Sequence, residues 1–477
     1  MLTDIDLADY AVDFALQRGV TYAEARLEQR IDNEYVLKNG IPEIGEFARV
    51  YGLGIRVLVE GAMGFCSLNV LSKSAIRKRI DEAIKIARAS AQMRKQPIQF
   101  SDEEAQEGKF RVSPKQNLAD IDPEEKITFL IDLDKSMLDA IPQTTELSSR
   151  LLYLYDSETT KYVTTSKGAK ISSFVPRLGF YSIITASDPA SGETEQGLDQ
   201  YGATGGWELV NNLQINEKMQ NGAKILAETV LHGKSPPSGK LDVVLGYQLA
   251  GIVAHEHCGH PSEMDRILGR EGAQAGESFL AGKFDTRIGS EHVTIVDDPT
   301  LEGSYGYHLY DDEGIKTRER ILVDHGIFVG ALHNMESAFA QNTKSNASAR
   351  ASAFNREPII RMANTYIKPG DFSEEEIFED IKQGVYIKTY TEWNIDDQRY
   401  QGKYVGRECY LIEKGELTHR IRRAGVELTT VGLFSSVDAC SKTVEYEAAF
   451  CGKGEPMQGV EVWMGGPLIR LRDIQIS

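Results

Sequence analysis

Residues 241–260, LDVVLGYQLAGIVAHEHCGH, run from strand to helix to a cluster of metal ligands without a break. Leu241 to Leu245 read as a buried strand, and the apolar stretch from Gln248 onward reads as a helix. The hexapeptide His255-Glu256-His257-Cys258-Gly259-His260 sits near that helix's end, because Pro261 lacks an N–H and cannot continue an undistorted helix. No other stretch of the chain is as dense in imidazole, thiol and carboxylate.

Imidazole nitrogen and thiolate sulfur are the ligands that zinc favours, and a carboxylate beside a ligand is placed to act on a metal-activated water. In the zinc-peptidase signature His-Glu-x-x-His, two histidines four residues apart share one helix face. Here His255 and His260 are five apart. Such a step turns roughly 140° around a regular helix, against about 40° for a four-residue step. A one-turn π-bulge would bring the two rings together, with Gly259 easing the distortion. Two other pairings are three residues apart and compete, His257 with His260 and His255 with Cys258.

Outward from this segment, Ser235-Pro236-Pro237-Ser238-Gly239 is the clearest boundary in the chain. Near the N-terminus, Leu7, Ala11, Phe14 and Ala15 follow helical spacing. Ala23, Ala25 and Leu27 alternate with Glu24, Arg26 and Glu28 as in a half-buried strand. Asn39-Gly40 signals a hairpin, Ile55, Val57 and Val59 another strand, and Ile76, Ile80, Ala83, Ile84 and Ala87 an amphipathic helix. Residues 91 to 120 are polar and aperiodic and read as a linker or surface excursion. Asp122-Pro123-Glu124-Glu125 opens a helix reaching about Ala140. Strands follow at Arg150 to Tyr155, Tyr162 to Thr165 and Ile171 to Ala186, and a helix from about Trp207. Beyond residue 285 the pattern is β-rich, broken by one helix with a Ser373/Glu376 capping box, an Ile377/Ile381 face and a stop at Gly384. The expected class is α+β, in three domains: an N-terminal α/β unit (1–95), a middle unit of helix plus antiparallel sheet (120–232), and a β-rich C-terminal domain carrying the metal helix (240–477).

The chain has 477 residues, enough for several cores, and 41% hydrophobic with 26% charged residues is an ordinary globular balance. A net charge of −18 repels phosphate backbones and anionic lipid, so neither nucleic acid nor a membrane is an expected partner. Five irregularly spaced cysteines argue against a disulfide framework. The opening MLTDIDLADY has no basic segment followed by an apolar one, and no run is long enough for a membrane span. A cytoplasmic location is the simplest expectation.

An open zinc site takes three protein ligands, so a third must come from elsewhere in the chain. Cys451, in Phe450-Cys451-Gly452-Lys453-Gly454, is the best candidate: glycine allows close approach, and Lys453 would favour the thiolate. Cys409 and Cys440 lie in strand-like stretches, where a buried inert thiol is expected. Asp311, Asp312 and Glu313 read either as carboxylates orienting the histidines or as a charged turn ended by Gly314. Arg350 and Arg361 read as candidate peptide anchors or, more simply, as surface or strand-pairing residues.

Several separated motifs occur in one order: Gly54-Ile55-Arg56-Val57, His255-Glu256-x-x-Gly259-His260, Asp311-Asp312-Glu313-Gly314, Arg361-Met362-Ala363-Asn364-Thr365, Tyr410-Leu411-Ile412-Glu413, Cys451-Gly452-Lys453 and Gly465-Gly466-Pro467-Leu468. In these the chain resembles the TldD family of metallopeptidases, the metal-bearing TldD subunit more than its TldE (PmbA) partner. The resemblance implies Zn2+ held by His255, His260 and Cys451, with Glu256 as the catalytic acid–base. It implies a dimer, with a TldE/PmbA-like subunit or with itself, and unfolded or extended peptides as substrates, bound as an added β-strand. Two departures stand out: the motif interior His257-Cys258, and the stretch Thr391 to Gly402, TEWNIDDQRYQG, which lacks a glycine-rich run. The competing class is a non-enzymatic, zinc-stabilised peptide-binding or assembly module, which needs a fourth protein ligand such as His257 or Cys258.

Overall fold

The computed structural model describes residues 2–270 and 277–476. Helix α1 (Ile5–Gln17) and strand β1 (Tyr22–Lys38) open the chain, and the Asn39-Gly40 turn leads into β2 (Ile41–Glu43). Both turn residues have positive φ, 51° and 79°, which Asn-Gly adopts at little cost. Strands β3 (Phe47–Val59) and β4 (Ala62–Leu68) follow, then α2 (Lys73–Ala91). The apolar stripes of α1 and α2 pack on Ala23, Ala25, Leu27, Leu53, Ile55 and Val57, as the spacing predicts.

The supposed linker contributes β5 (Glu107–Arg111), an edge strand that the polar sequence concealed. Helix α3 (Pro123–Ala140) leads to β6 (Glu146–Thr165), which fuses the two strands expected at 150–155 and 162–165. Strands β7 (Lys170–Ser187) and β8 (Thr194–Thr204) follow, and the helix expected from Trp207 is split into α4 (Leu209–Asn212) and α5 (Ile215–His232). These strands and the N-terminal ones form one eight-stranded sheet ordered β4-β3-β1-β6-β7-β5, with β2 on β1 and β8 on β7. Helices cover one face of it.

The other face corrects the half-buried reading of β1. Glu24, Arg26 and Glu28 alternate as expected, but all three are buried, because residues 239–476 cover that face. Charges there are paired: Arg56 bonds Glu24 at 2.6 Å and Glu313 at 2.7 Å, Lys161 bonds Asp312 at 2.7 Å, and Arg30 bonds Glu461 at 3.2 Å. Removing one member of such a buried pair strands the other, at about 3–5 kcal/mol. These ion pairs therefore fix how the C-terminal part sits.

That part begins with β9 (Gly239–Leu245), which lies inside a nine-stranded sheet between strands Gln383–Ile387 and Ile469–Ile476. Helix α6 (Tyr247–Ala254) follows directly and packs on the strand Gln458–Gly466 of a second, six-stranded sheet. The approach is close: a Cβ on Gly251 would stand 2.9 Å from Gly465 N. The six-stranded sheet ends in the strand Glu445–Lys453, which carries Cys451. The Ser373/Glu376 capping box forms, but its helix ends at Phe378; Gly384 already lies in a strand, while Ile377 and Ile381 keep their places in the core. The architecture is mixed α+β, with the C-terminal part β-rich around α6. Among the described residues no helix is long and apolar enough to cross a membrane.

Candidate metal centre

Helix α6 does not stop at Ala254. Residues His255–Gly259 continue it as one π-helical turn, and His260–Ser262 tighten into a 3-10 turn. The five-residue spacing predicts this bulge. Its outcome is that the rings of His255 and His260 meet edge to face, with centroids 4.9 Å apart. Gly259 acts differently from expectation. Its backbone is ordinary right-handed helix, φ −59° and ψ −60°, so no special freedom is used. What it supplies is space, since a Cβ there would lie 2.0 Å from Met362 Sδ.

Cys451 arrives from the opposite side on its edge strand. Its Sγ lies 3.3 Å from His260 Nε2, and the ligand atoms of His255, His260 and Cys451 all fall within 4.8 Å of one another. Zinc–nitrogen bonds of about 2.0–2.1 Å and zinc–sulfur bonds of about 2.3 Å at tetrahedral angles put ligand atoms roughly 3.5 Å apart, so the three fit one ion. His255 Nδ1 is also buried with no hydrogen-bond partner among the described residues, a donor atom left over for such a group. All three side chains are buried.

Electrostatics suit ligation. Burial lowers the pKa of both His255 and His260, against the pull of nearby carboxylates and, at His260, of Cys451, which favours the metal-binding form of each ring. Burial pushes the Cys451 thiol up, but His260 and the Arg361 guanidinium more than offset it and hold the thiol below its ordinary value. Arg361 donates to the Cys451 carbonyl and, at 2.6 Å, to that of Gln458, so it braces the strand that delivers the thiol. Lys453 does not take the role expected of it: its ammonium bonds both carboxylate oxygens of Asp265 at 2.7 Å and Ile360 O at 3.0 Å.

The motif interior turns away from the cluster. His257 Nδ1 lies 2.6 Å from Thr430 Oγ1, its ring packs on Tyr404 and Phe434, and burial pushes its pKa down to about 3. Cys258 faces the apolar core, where burial pushes its pKa up to about 12. Neither competing pairing forms. Cys409 and Cys440 are likewise buried, with pKa values pushed to about 12.

Two residues at the site escape the sequence reading. Glu263 accepts from His260 Nδ1 at 3.0 Å and so sets that ring's tautomer; its position three residues after a ligand was a usable signal. Arg399, from the turn between strands Tyr390–Ile395 and Gln401–Gly406, forms an ion pair with Glu256. That partner is 143 residues away and left no local trace. Asp311, Asp312 and Glu313 do not orient the histidines. They pair with Arg56 and Lys161 and cap backbone N–H groups of Glu313, Ile315, Met335, Ala349 and Ala351, so they tie the domains together. Arg350 is also buried, on Met362 O and Glu461 O.

Two buried imidazoles and a thiol beside a carboxylate are the donor set of a metal-dependent hydrolase. Comparison with known proteins agrees. Family models described as PmbA/TldA metallopeptidase domain 1, central domain and C-terminal domain match residues 23–87, 116–231 and 238–477. A metalloprotease of Methanocaldococcus jannaschii is 33% identical over 451 residues, covering 94% of this chain and 95% of that one. A zinc metalloprotease TldD homolog of Saccharolobus solfataricus is 29% identical over 264 residues, 55% of this chain and 57% of that one. The crystal structure of TldE from Thermococcus kodakarensis shares the fold, with TM-score 0.75 at 17% identity, covering 99% of this chain and 100% of that one. The chain belongs to the PmbA/TldD metallopeptidase family. It is a metalloprotease.

Proposed function

We propose that the chain is a zinc-dependent peptidase that hydrolyses unfolded or extended peptides, with His255, His260 and Cys451 as metal ligands and Glu256 as general base and acid. The observation that carries this is the convergence of three buried donor atoms within 4.8 Å, one residue along the chain from a carboxylate. A zinc ion bound there supplies Lewis acidity and lowers the pKa of water at its open position. Glu256 accepts the attacking water's proton and passes it to the departing amine nitrogen. Arg361 and Glu263 hold Cys451 and His260 in place, and the α6 core keeps bulk water from the ligands. An assembly role would need a fourth ligand, and His257 and Cys258, the residues that could supply one, face away.

Pairing with a second chain, TldE-like or a copy of itself, belongs to the same reading, and the fold shared with TldE supports it. The division at 1–95, 120–232 and 240–477 is supported by the three matched segments. The test is to strip the protein with a chelator and return one zinc per chain, alone and with a TldE-like partner, assaying an unstructured peptide and a folded protein. Cleavage of the peptide alone, lost and regained with zinc, supports the proposal. Cleavage indifferent to metal overturns it.

A further inference from the structure

Arg399 is a non-glycine residue held at φ +63°, a strained conformation that persists only where its surroundings impose it. The surroundings here are specific. Thr430 Oγ1 has the carbonyls of Arg399 at 2.8 Å and Tyr400 at 3.2 Å as acceptors for its one proton, and with that proton engaged it accepts from His257 Nδ1–H at 2.6 Å. The Arg399 N–H donates to Asp396 O at 3.0 Å, and Thr430 N–H to Tyr400 O at 2.7 Å. On the far side of the imidazole, a Cβ at Gly402 would lie 2.6 Å from His257 Nε2, so only glycine lets this strand close on the ring. A buried chain of bonds thus runs from inside the metal motif to the backbone of the residue whose guanidinium sits on Glu256. The guanidinium is itself buried, and its charge reaches His255, His257 and His260.

We propose that Arg399 is a catalytic residue of this site, the cation that stabilises the oxyanion formed when water adds to the scissile carbonyl, and that His257 and Thr430 are the residues that position it. The inference rests on the peptidase reading above. In the free protein the guanidinium neutralises the Glu256 carboxylate. When Glu256 takes the water's proton it becomes neutral, and at that moment negative charge appears on the carbonyl oxygen as the new C–O bond forms. The guanidinium passes its hydrogen bonds from one anion to the other. As the oxyanion collapses, the C–N bond breaks, Glu256 returns the proton to the amine nitrogen, and the original ion pair re-forms. Because the cation is already in the buried site, no charge has to be brought in from water at the transition state. This gives His257, the ligand-like residue that touches no ligand cluster, a function: it anchors the arginine through Thr430.

The test uses the zinc-loaded full chain with its partner. Arg399→Met is expected to keep its zinc and lose about 10²–10³-fold in kcat, with KM changed little. Arg399→Lys keeps the charge but not the two-pronged geometry and should fall between it and the wild type. A phosphinic peptide, which mimics the tetrahedral oxyanion, should lose affinity for both variants in proportion to the loss in kcat/KM. A reduced-amide peptide, which has no carbonyl oxygen, should bind as before. Thr430→Val should show the same selective loss for the phosphinate, at about 10-fold, and Thr430→Ser should restore it. Unchanged or raised kcat in Arg399→Met, or equal losses for both inhibitors in Arg399→Lys and Thr430→Val, would overturn the proposal. Failure of the underlying peptidase reading shows separately, as full activity in Glu256→Gln.

Discussion

His260 Nδ1 stands 3.0 Å from a carboxylate oxygen of Glu263, and this contact turns Nε2 of the same ring toward Cys451 Sγ at 3.3 Å. Glu263 is itself fully buried; burial alone would raise its pKa, but Lys453, His260 and Arg266 hold it well below the usual carboxylate range. It therefore presents a fixed negative charge to the ring behind the metal ligand. Glu263→Gln keeps the side chain's shape and loses that charge. The expected result is a 10–100-fold loss of zinc affinity, read by competition with a chromogenic chelator. Unchanged affinity would mean that Glu263 only fills space.

Gly259 is a second supporting position, and its contribution is steric. An alanine there drives its Cβ toward Met362 Sδ, a sulfur boxed into the buried core. Gly259→Ala should cost about 1–3 kcal/mol in unfolding free energy, and Met362→Ala should relieve the strain, so the double variant should be more stable than the sum of the singles predicts. Strict additivity would show that the bulge needs glycine for another reason.

Glu447 gives the protein a stability that depends on pH. It is buried against Gln248 at 2.6 Å and Tyr390, and burial pushes its pKa up to about 8, aided by Asp199 and opposed by the Gln248 hydrogen bond and Arg407. Below its unfolded value of 4.5 the group is protonated in both states. Between there and about 8 the folded form keeps a proton that the unfolded chain has released, so stability falls as pH rises through that window and then levels. Glu447→Gln cannot ionise and escapes this loss. In urea unfolding at pH 5 to 8, its advantage over the wild type should grow with pH, by on the order of a few kcal/mol in all. An advantage that stays constant with pH would contradict the assignment.

The sequence displays those parts of this structure that local chemistry determines. The apolar stripes of α1 and α2 follow from a repeat near 3.6 residues, the start of α3 from Asp122-Pro123-Glu124-Glu125, the hairpin after β1 from Asn39-Gly40, and the π-turn from ligands spaced five apart. What it conceals depends on contacts between distant segments. The polar side of β1 reads as solvent-facing because Glu24, Arg26 and Glu28 are charged, and only the covering C-terminal sheets, with Arg56, Lys161 and Glu461, explain their burial. Asp311 to Glu313 look like carboxylates behind a metal and prove to be an interdomain clasp. His257 looks like a ligand and reaches for Thr430 instead, since the bulge that unites His255 with His260 turns His257 and Cys258 away from them.

The central claim is that the three-donor cage holds a catalytic zinc and that Glu256 moves the proton. The direct measurement is the rate of peptide cleavage by Glu256→Gln, taken together with its zinc content. The account predicts a variant with one zinc per chain, unaltered ligands and a rate lower by about 10²–10⁴-fold. A zinc-replete Glu256→Gln protein that cleaves at the wild-type rate would contradict it.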